Sequence, residues 1–198
     1  MASGQERQRS YRPAPERRAE IIARAIEVFA REGAASSLRA IGEAIGVSHA
    51  ALRYYFPTRD ELLVAVYQAH EAVFADPATT PPRASAVEVM EDSADRNRAI
   101  AGLVELYATL STDALQGGRH PLTREFVQTR FRTVRADLAE RIRQGQRSGA
   151  IASDIDPAAA AALVAAASDG LQLQWLLDPD SVDVRGSLQL LEALFPGS

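Results

Sequence analysis

Residues 46–63 read GVSHAALRYYFPTRDELL. Ser48 carries a hydroxyl that can cap a helix by accepting the N–H two or three residues on. Leu52 and Phe56 then fall four apart, one face of a short helix from His49 to about Tyr55. Pro57 stops that helix, and Thr58 with Glu61 three residues later is a capping-box pattern that starts the next. Small Ala50 and Ala51, two tyrosines and two arginines decorate the segment, in a chain whose net charge is −4.

Upstream, Pro15 suits a first helical turn, and Ile21, Ile22, Ala25, Ile26 and Phe29 form a 3.6-residue stripe ending near Gly33. Ser36 or Ser37 caps a second, short helix through Leu38, Ile41 and Ile45, closed by Gly46. Two short helices joined by a tight turn behind a longer one make a helix-turn-helix, whose second helix enters the major groove of DNA. Ala50 and Ala51 allow close approach to base edges. Arg53 can present two parallel donors to guanine, worth about 1–3 kcal/mol of base discrimination. Tyr54 and Tyr55 offer hydroxyls to phosphates and ring faces to sugars. Arg59, at the next helix start, reads as a phosphate anchor. Ser36, Ser37, Ser48 and His49, at the helix starts, complete the expected DNA-binding set.

Charge supports this reading. The first 60 residues hold ten arginines against seven acids, and the remainder twelve against nineteen. DNA affinity depends on local cations meeting phosphates, so the asymmetry outweighs the acidic total. All 22 basic residues are arginine.

Residues 1–13, with Arg7, Arg9 and Arg12, read as a mobile basic arm, 14–60 as the DNA-binding domain, and 61–198 as a second domain. The fourth helix carries Leu62, Leu63, Val66, Tyr67, His70 and Phe74. The proline-rich DPATTPPR at 76–83 is a loop and a hinge candidate. Helical patterns continue over 84–97, 99–116 and 121–146, the last with Val127, Phe131, Val134, Leu138 and Ile142 in register. Further helices follow at 158–177 and 182–195. With no strand alternation, the expectation is an all-α fold of about nine helices.

The stretch RRAEIIARAIEVFAREGAASSLRAIGEAIGVSHAALRYYFPTRDELL resembles the N-terminal domain of TetR-family (tetracycline-repressor-like) transcriptional regulators. It does so through its Ile-Ile-x-x-Ala-Ile-x-x-Phe stripe, Gly33, the IGEAIGVS turn and the YYFPTRDELL exit. The stretch GQRSGAIASDIDPAAAAALVAAASDGLQLQWLLDP is similar to C-terminal segments of such regulators. The family commonly has Gly, Thr, Tyr and Lys where this chain has Ala50, Ala51, Arg53 and Arg59, so Arg53 points to a different base preference. Gly42 stands where Ala is usual, which weakens the short second helix by up to about 1 kcal/mol.

The resemblance implies a bacterial, ligand-responsive repressor that binds a palindromic operator as a homodimer and is released by a small-molecule effector. It implies a ligand cavity among the middle helices, for which Tyr67, His70, Phe74, Met90, Leu103, Tyr107, Phe126, Phe131 and Trp175 are candidate lining residues. It also implies dimerisation through the last two long helices. The small residues of 158–177 support this, and the face expected includes Leu163, Ala167, Leu171, Gln174, Trp175 and Leu188. A DNA-binding regulator without small-molecule input is the alternative.

An enzyme is the competing class, and little in the sequence favours it. His49, His70 and His120 form no i, i+4 metal pair, and no glycine-rich phosphate loop is present. In DIDP, 154–157, Asp156 reads as a helix cap before Pro157. No catalytic residue, cofactor or metal site is expected. The absence of cysteine, of a signal peptide and of any apolar run near 20 residues leads to the expectation of a cytoplasmic protein without membrane contact.

Overall fold

The computed structural model describes residues 14–32, 37–74 and 84–195. The basic arm, Gly33, Ser36 and the 76–83 segment lie outside the described residues, as does the side chain of Phe74. Among the described residues the chain is helical without strands: α1 (Ala14–Glu32), α2 (Leu38–Ala44), α3 (His49–Tyr55), α4 (Arg59–Phe74), α5 (Ala86–Ala99), α6 (Leu103–Leu115), α7 (Pro121–Ser148), α8 (Pro157–Leu177) and α9 (Val184–Gln189). Short 3-10 turns occupy Gly117–Arg119 and Glu192–Leu194. No described helix is long and apolar enough to cross a membrane.

The helix starts follow the local chemistry. Ser37, Ser48 and Asp156 accept the N–H groups of Ala40, Ala51 and Ala158, at 3.2, 3.2 and 3.0 Å. Thr58 accepts from Glu61 at 3.2 Å, and Ser85 with Glu88 forms a complete capping box for α5. Gly46, Gly102 and Gly149 all adopt positive φ, and each lies at a helix boundary. Gly102 separates α5 from α6, so the helix expected from residue 99 starts at Leu103. The final helix expected to residue 195 breaks after Gln189.

Two cores organise the molecule. The first joins α1–α4 to α6 and the start of α7, through Ile21, Phe29, Ile41, Leu52, Phe56, Leu106 and Leu110. The second joins α5, the later part of α7, α8 and α9, through Met90, Leu138, Ile142, Val164 and Leu188. Burying each such side chain contributes about 1.5–3 kcal/mol.

Residues 62–67 of α4 are all buried, so this stretch of the helix is covered on every side, and exposure returns at Gln68 and Ala72. Helices buried all round sit inside a fold rather than on its surface. Whatever moves α4 therefore moves the helix-turn-helix in front of it.

Candidate nucleic-acid interface and effector cavity

α2 and α3 are held at a sharp turn. Val47 donates its N–H to the Gly42 carbonyl at 2.8 Å, and Arg24 reaches the Ile45 carbonyl at 3.2 Å. A methyl group at Gly42 would stand 2.9 Å from the Val47 carbonyl oxygen, so glycine, read from sequence as a weakness in α2, is what lets the turn close. Leu52 and Phe56 anchor α3 in the core, with the Arg18 guanidinium 4.8 Å from the Phe56 ring centre.

The opposite face of α3 is open. His49, Ala50, Ala51, Arg53 and Tyr54 are exposed, Tyr54 at 75%, and Ser37 and Ser48 lie exposed at the two helix starts. Tyr55 instead packs against the core, edge-on to Tyr54 with ring centres 5.1 Å apart. It is the member of the expected contact set that turns inward on α3.

Arg59 also departs from expectation. Its guanidinium donates to Asp113 Oδ2 of α6 at 2.8 Å, and its side chain is 21% exposed. Beside it, His120 Nδ1 lies 2.9 and 3.0 Å from the two carboxylate oxygens of Asp60. An arginine placed for a backbone phosphate is thus held by a carboxylate of its own chain.

A cavity of about 310 Å³ opens between α4, α5, α6 and α7, lined by Tyr67, His70, Glu71, Ser93, Arg96, Asn97, Leu103 and Arg130. At its wall the Arg130 guanidinium lies 4.5 Å from the Tyr107 ring centre and 5.5 Å from that of Tyr67, and the two tyrosines stack at 5.3 Å. Arg130 donates to Glu71 at 2.8 Å and to the Tyr107 hydroxyl at 3.2 Å, and Tyr107 donates to Asp169 of α8 at 3.3 Å.

Burial sets the protonation here. It pushes Tyr107 up to about 12, drives Tyr67 up as well, and lowers His70. Asp169 is raised by its own burial, opposed by Arg130 and the Tyr107 hydroxyl. Burial also works against the Arg130 charge, but Tyr67, Tyr107, Glu71 and Asp169 more than offset it, so the guanidinium stays charged. The result is an internal cation between two aromatic faces and two carboxylates.

Of the lining residues expected from sequence, Tyr67, His70 and Leu103 meet at this cavity, with Tyr107 stacked behind. Phe126 lines a separate surface hollow, Phe131 packs on the first core, and Met90 and Trp175 belong to the second, Trp175 under Arg98 at 5.6 Å. The sequence reading missed Glu71, Arg130 and Asp169. Charged residues at helical positions look like solvated faces until a partner about 60 residues away is placed beside them. A larger cavity of about 670 Å³ lies elsewhere, between the start of α5, the end of α7 and Phe195, and holds none of the expected residues.

α8 is apolar on two faces. Ala160, Ala161, Val164, Ala165 and Ser168 face the chain's own core. Leu163, Ala166, Leu173 and Leu177 stand exposed at helical spacing, Leu177 at 87%, with Leu190 and Leu194 exposed beyond α9. Of the face expected from sequence, Leu163 is among these exposed residues. Ala167, Leu171 and Trp175 pack against the second core, whereas Gln174 is exposed. Leu188 is fully buried within its own chain and has no surface to offer a partner.

Residues 21–66 match the family model for bacterial regulatory proteins of the tetR family, and residues 114–195 the model for the C-terminal region of BetI-type transcriptional repressors. A solved member of the TetR family from Streptomyces coelicolor A3 is 31% identical, with 92% of this chain and 99% of that one covered and a TM-score of 0.66. A protein from Saccharomonospora viridis, solved in complex with choline, is 22% identical over 91% and 95% of the two chains, with a TM-score of 0.71. The SmeT–triclosan complex is 19% identical over 91% and 92%, with a TM-score of 0.70. No curated protein matches the chain.

Proposed function

The chain belongs to the TetR family of bacterial regulatory proteins, and we propose that it is a ligand-responsive transcriptional repressor that grips a palindromic operator as a homodimer. The observation that carries this is the open face of α3, where Arg53, Tyr54 and His49 project from a helix whose other side is locked into the core. Ser37 and Ser48 stand at the helix starts beside it, placed for phosphate contact. Residues 14–60 form the DNA-binding domain in this reading, with α4 as the first helix of the effector domain.

The second apolar face of α8 supports the dimer. A helix apolar on both sides calls for cover on both, and a second copy related by two-fold symmetry supplies it with the same surface. Leu163, Leu173, Leu177, Leu190 and Leu194 are the interface residues of this proposal. Two α3 helices then face successive major-groove turns.

The cavity beside Tyr67 and Arg130 is the effector site of the proposal. Solved relatives of the same fold carry choline and triclosan, so effector chemistry is set by the lining rather than by the fold. An effector entering here meets the Arg130–Glu71 pair, which ties α7 to α4. Taking the regulator from 99% to 1% competent needs about 5.5 kcal/mol of differential binding.

The test is a gel-shift titration of the purified chain against duplex fragments from its own locus at low ionic strength, with analytical ultracentrifugation alongside. A symmetric protected site bound by two copies is expected. Failure to shift any fragment removes the DNA reading. A bound complex unmoved by every compound that raises the melting temperature leaves a regulator without small-molecule input.

A further inference from the structure

We infer that Asp60, Asp113 and His120 form a binding site for one divalent transition-metal ion, zinc by preference, where the DNA-binding helices meet the effector helices. The three residues come from three elements: Asp60 from the first turn of α4, Asp113 from the last turn of α6, and His120 from the position before α7. One donor atom of each lies within 4.8 Å of the other two. Their side chains are 14%, 12% and 24% exposed, so the donors are enclosed yet reachable.

Charge argues for a dication. Two enclosed carboxylates face one guanidinium, that of Arg59, and one imidazole, with Gln116 Nε2 also 3.4 Å from Asp113 Oδ1. Arg59 pairs with one carboxylate and the His120 ring with the other, so a dication that takes both carboxylates displaces Arg59 rather than adding to it. A single dication neutralises both carboxylates and uses the imidazole lone pair. The nitrogen ligand selects against calcium and magnesium, which take oxygen, and suits zinc, which in open sites takes three protein ligands and leaves a fourth position to water. Zinc–ligand bonds of about 2.0–2.2 Å bring tetrahedral donors to about 3.4 Å apart, a contraction that side-chain rotation can supply. Three residues after His120, Thr123 is fully buried and its hydroxyl has no hydrogen-bond partner.

The consequence reaches the DNA face. With a metal on Asp113, the Arg59–Asp113 pair loses its electrostatic reason, and the guanidinium at the start of α4 turns to the phosphate role its position suits. The metal then strengthens operator binding by one phosphate contact.

The experiment is calorimetric titration of the metal-free, untagged full-length protein with Zn²⁺, and with Mg²⁺ as contrast. One zinc per chain is expected, and no magnesium. His120→Ala and Asp113→Asn should each weaken zinc by more than about tenfold, the lower end of what losing even a supporting residue costs. Asp95→Asn, in the separate Arg185 cluster of α5 and α9, should leave it unchanged. No zinc uptake, or uptake indifferent to both site variants, overturns the proposal. Should those variants unfold, the histidine ring resonances of the wild-type chain decide. His120 must be the one of the three that moves at one equivalent of zinc, and movement of His49 or His70 in its place overturns the site. The readout is metal binding, so it stands or falls separately from the operator reading.

Discussion

Arg130 of α7 and Glu71 of α4 are joined by a 2.8 Å hydrogen-bonded ion pair at the wall of the inner cavity, and the same guanidinium lies against the faces of Tyr67 and Tyr107. One residue therefore touches the helix that carries the DNA-binding module, the floor of the cavity and, through Tyr107, Asp169 of α8. Removing it takes the guanidinium away from the two tyrosine rings and from the enclosed Asp169 nearby, while Glu71 remains within reach of solvent. Arg130→Ala should destabilise the fold by about 1.5–3 kcal/mol, the range for losing a hydrogen bond to a charged group, with the exposed side of Glu71 keeping the loss below that of a fully buried pair. Glu71→Gln should cost much less, because Glu71 is partly exposed and solvent takes over its role. Chemical denaturation of both variants checks the ordering.

Asp169 supplies a pH signature. Burial raises its folded-state pKa above the unfolded value, so the folded chain holds that proton more tightly than the unfolded chain does. Stability from this group is then greatest below the unfolded carboxylate range and falls as pH rises through the folded pKa. Asp169→Asn removes the penalty while keeping an acceptor for the Tyr107 hydroxyl. The variant should melt higher than the wild type at neutral pH, with the difference shrinking toward zero below about pH 4. Melting curves across that range decide it, and a gap that widens on acidification would sink the assignment.

Arg53 and Arg59 should separate cleanly in DNA binding. Arg53→Ala is expected to cost about 1–3 kcal/mol on the preferred operator and to relax selection at one base position. An equal loss on every duplex would make it a phosphate contact only. In metal-free protein Arg59 is committed to Asp113, so Arg59→Ala should lower stability by about 1.5–3 kcal/mol, the range for a hydrogen bond to a charged group. Its effect on the salt dependence of metal-free operator binding should be small.

What the sequence made legible is what is encoded locally. Ser37, Ser48, Thr58 and Asp156 cap the helices they were expected to cap. Leu52 and Phe56, four apart, are both buried, and the α7 stripe from Val127 to Ile142 faces inward as read. What was hidden depends on which distant helices meet. Glu71 and Arg130 are 59 positions apart, and Asp60 and His120 are 60 apart, so no spacing rule links them. The α8 stripe fell between the two cases. An alanine-rich helix with apolar residues on both sides carries little phase information, so its outward register emerged only once α5 and α7 had claimed the other face.

That register yields the last test. Leu173 and Leu177 are exposed one turn apart on α8, whereas Leu188, six residues beyond Val182 in the second core, is fully enclosed. Leu173→Glu with Leu177→Glu should leave the monomer fold intact while placing two charges in the proposed two-fold interface. Sedimentation should then show monomers, and operator affinity should fall because the two recognition helices are no longer linked. Leu188→Ala should behave oppositely: a cavity in the monomer core costs about 2–5 kcal/mol of stability with no direct change at the dimer surface. If the double glutamate variant still sediments as a dimer, α8 is not the contact. The exposed leucines there then need another partner, because charge on both copies of one isologous face cannot be accommodated without breaking it.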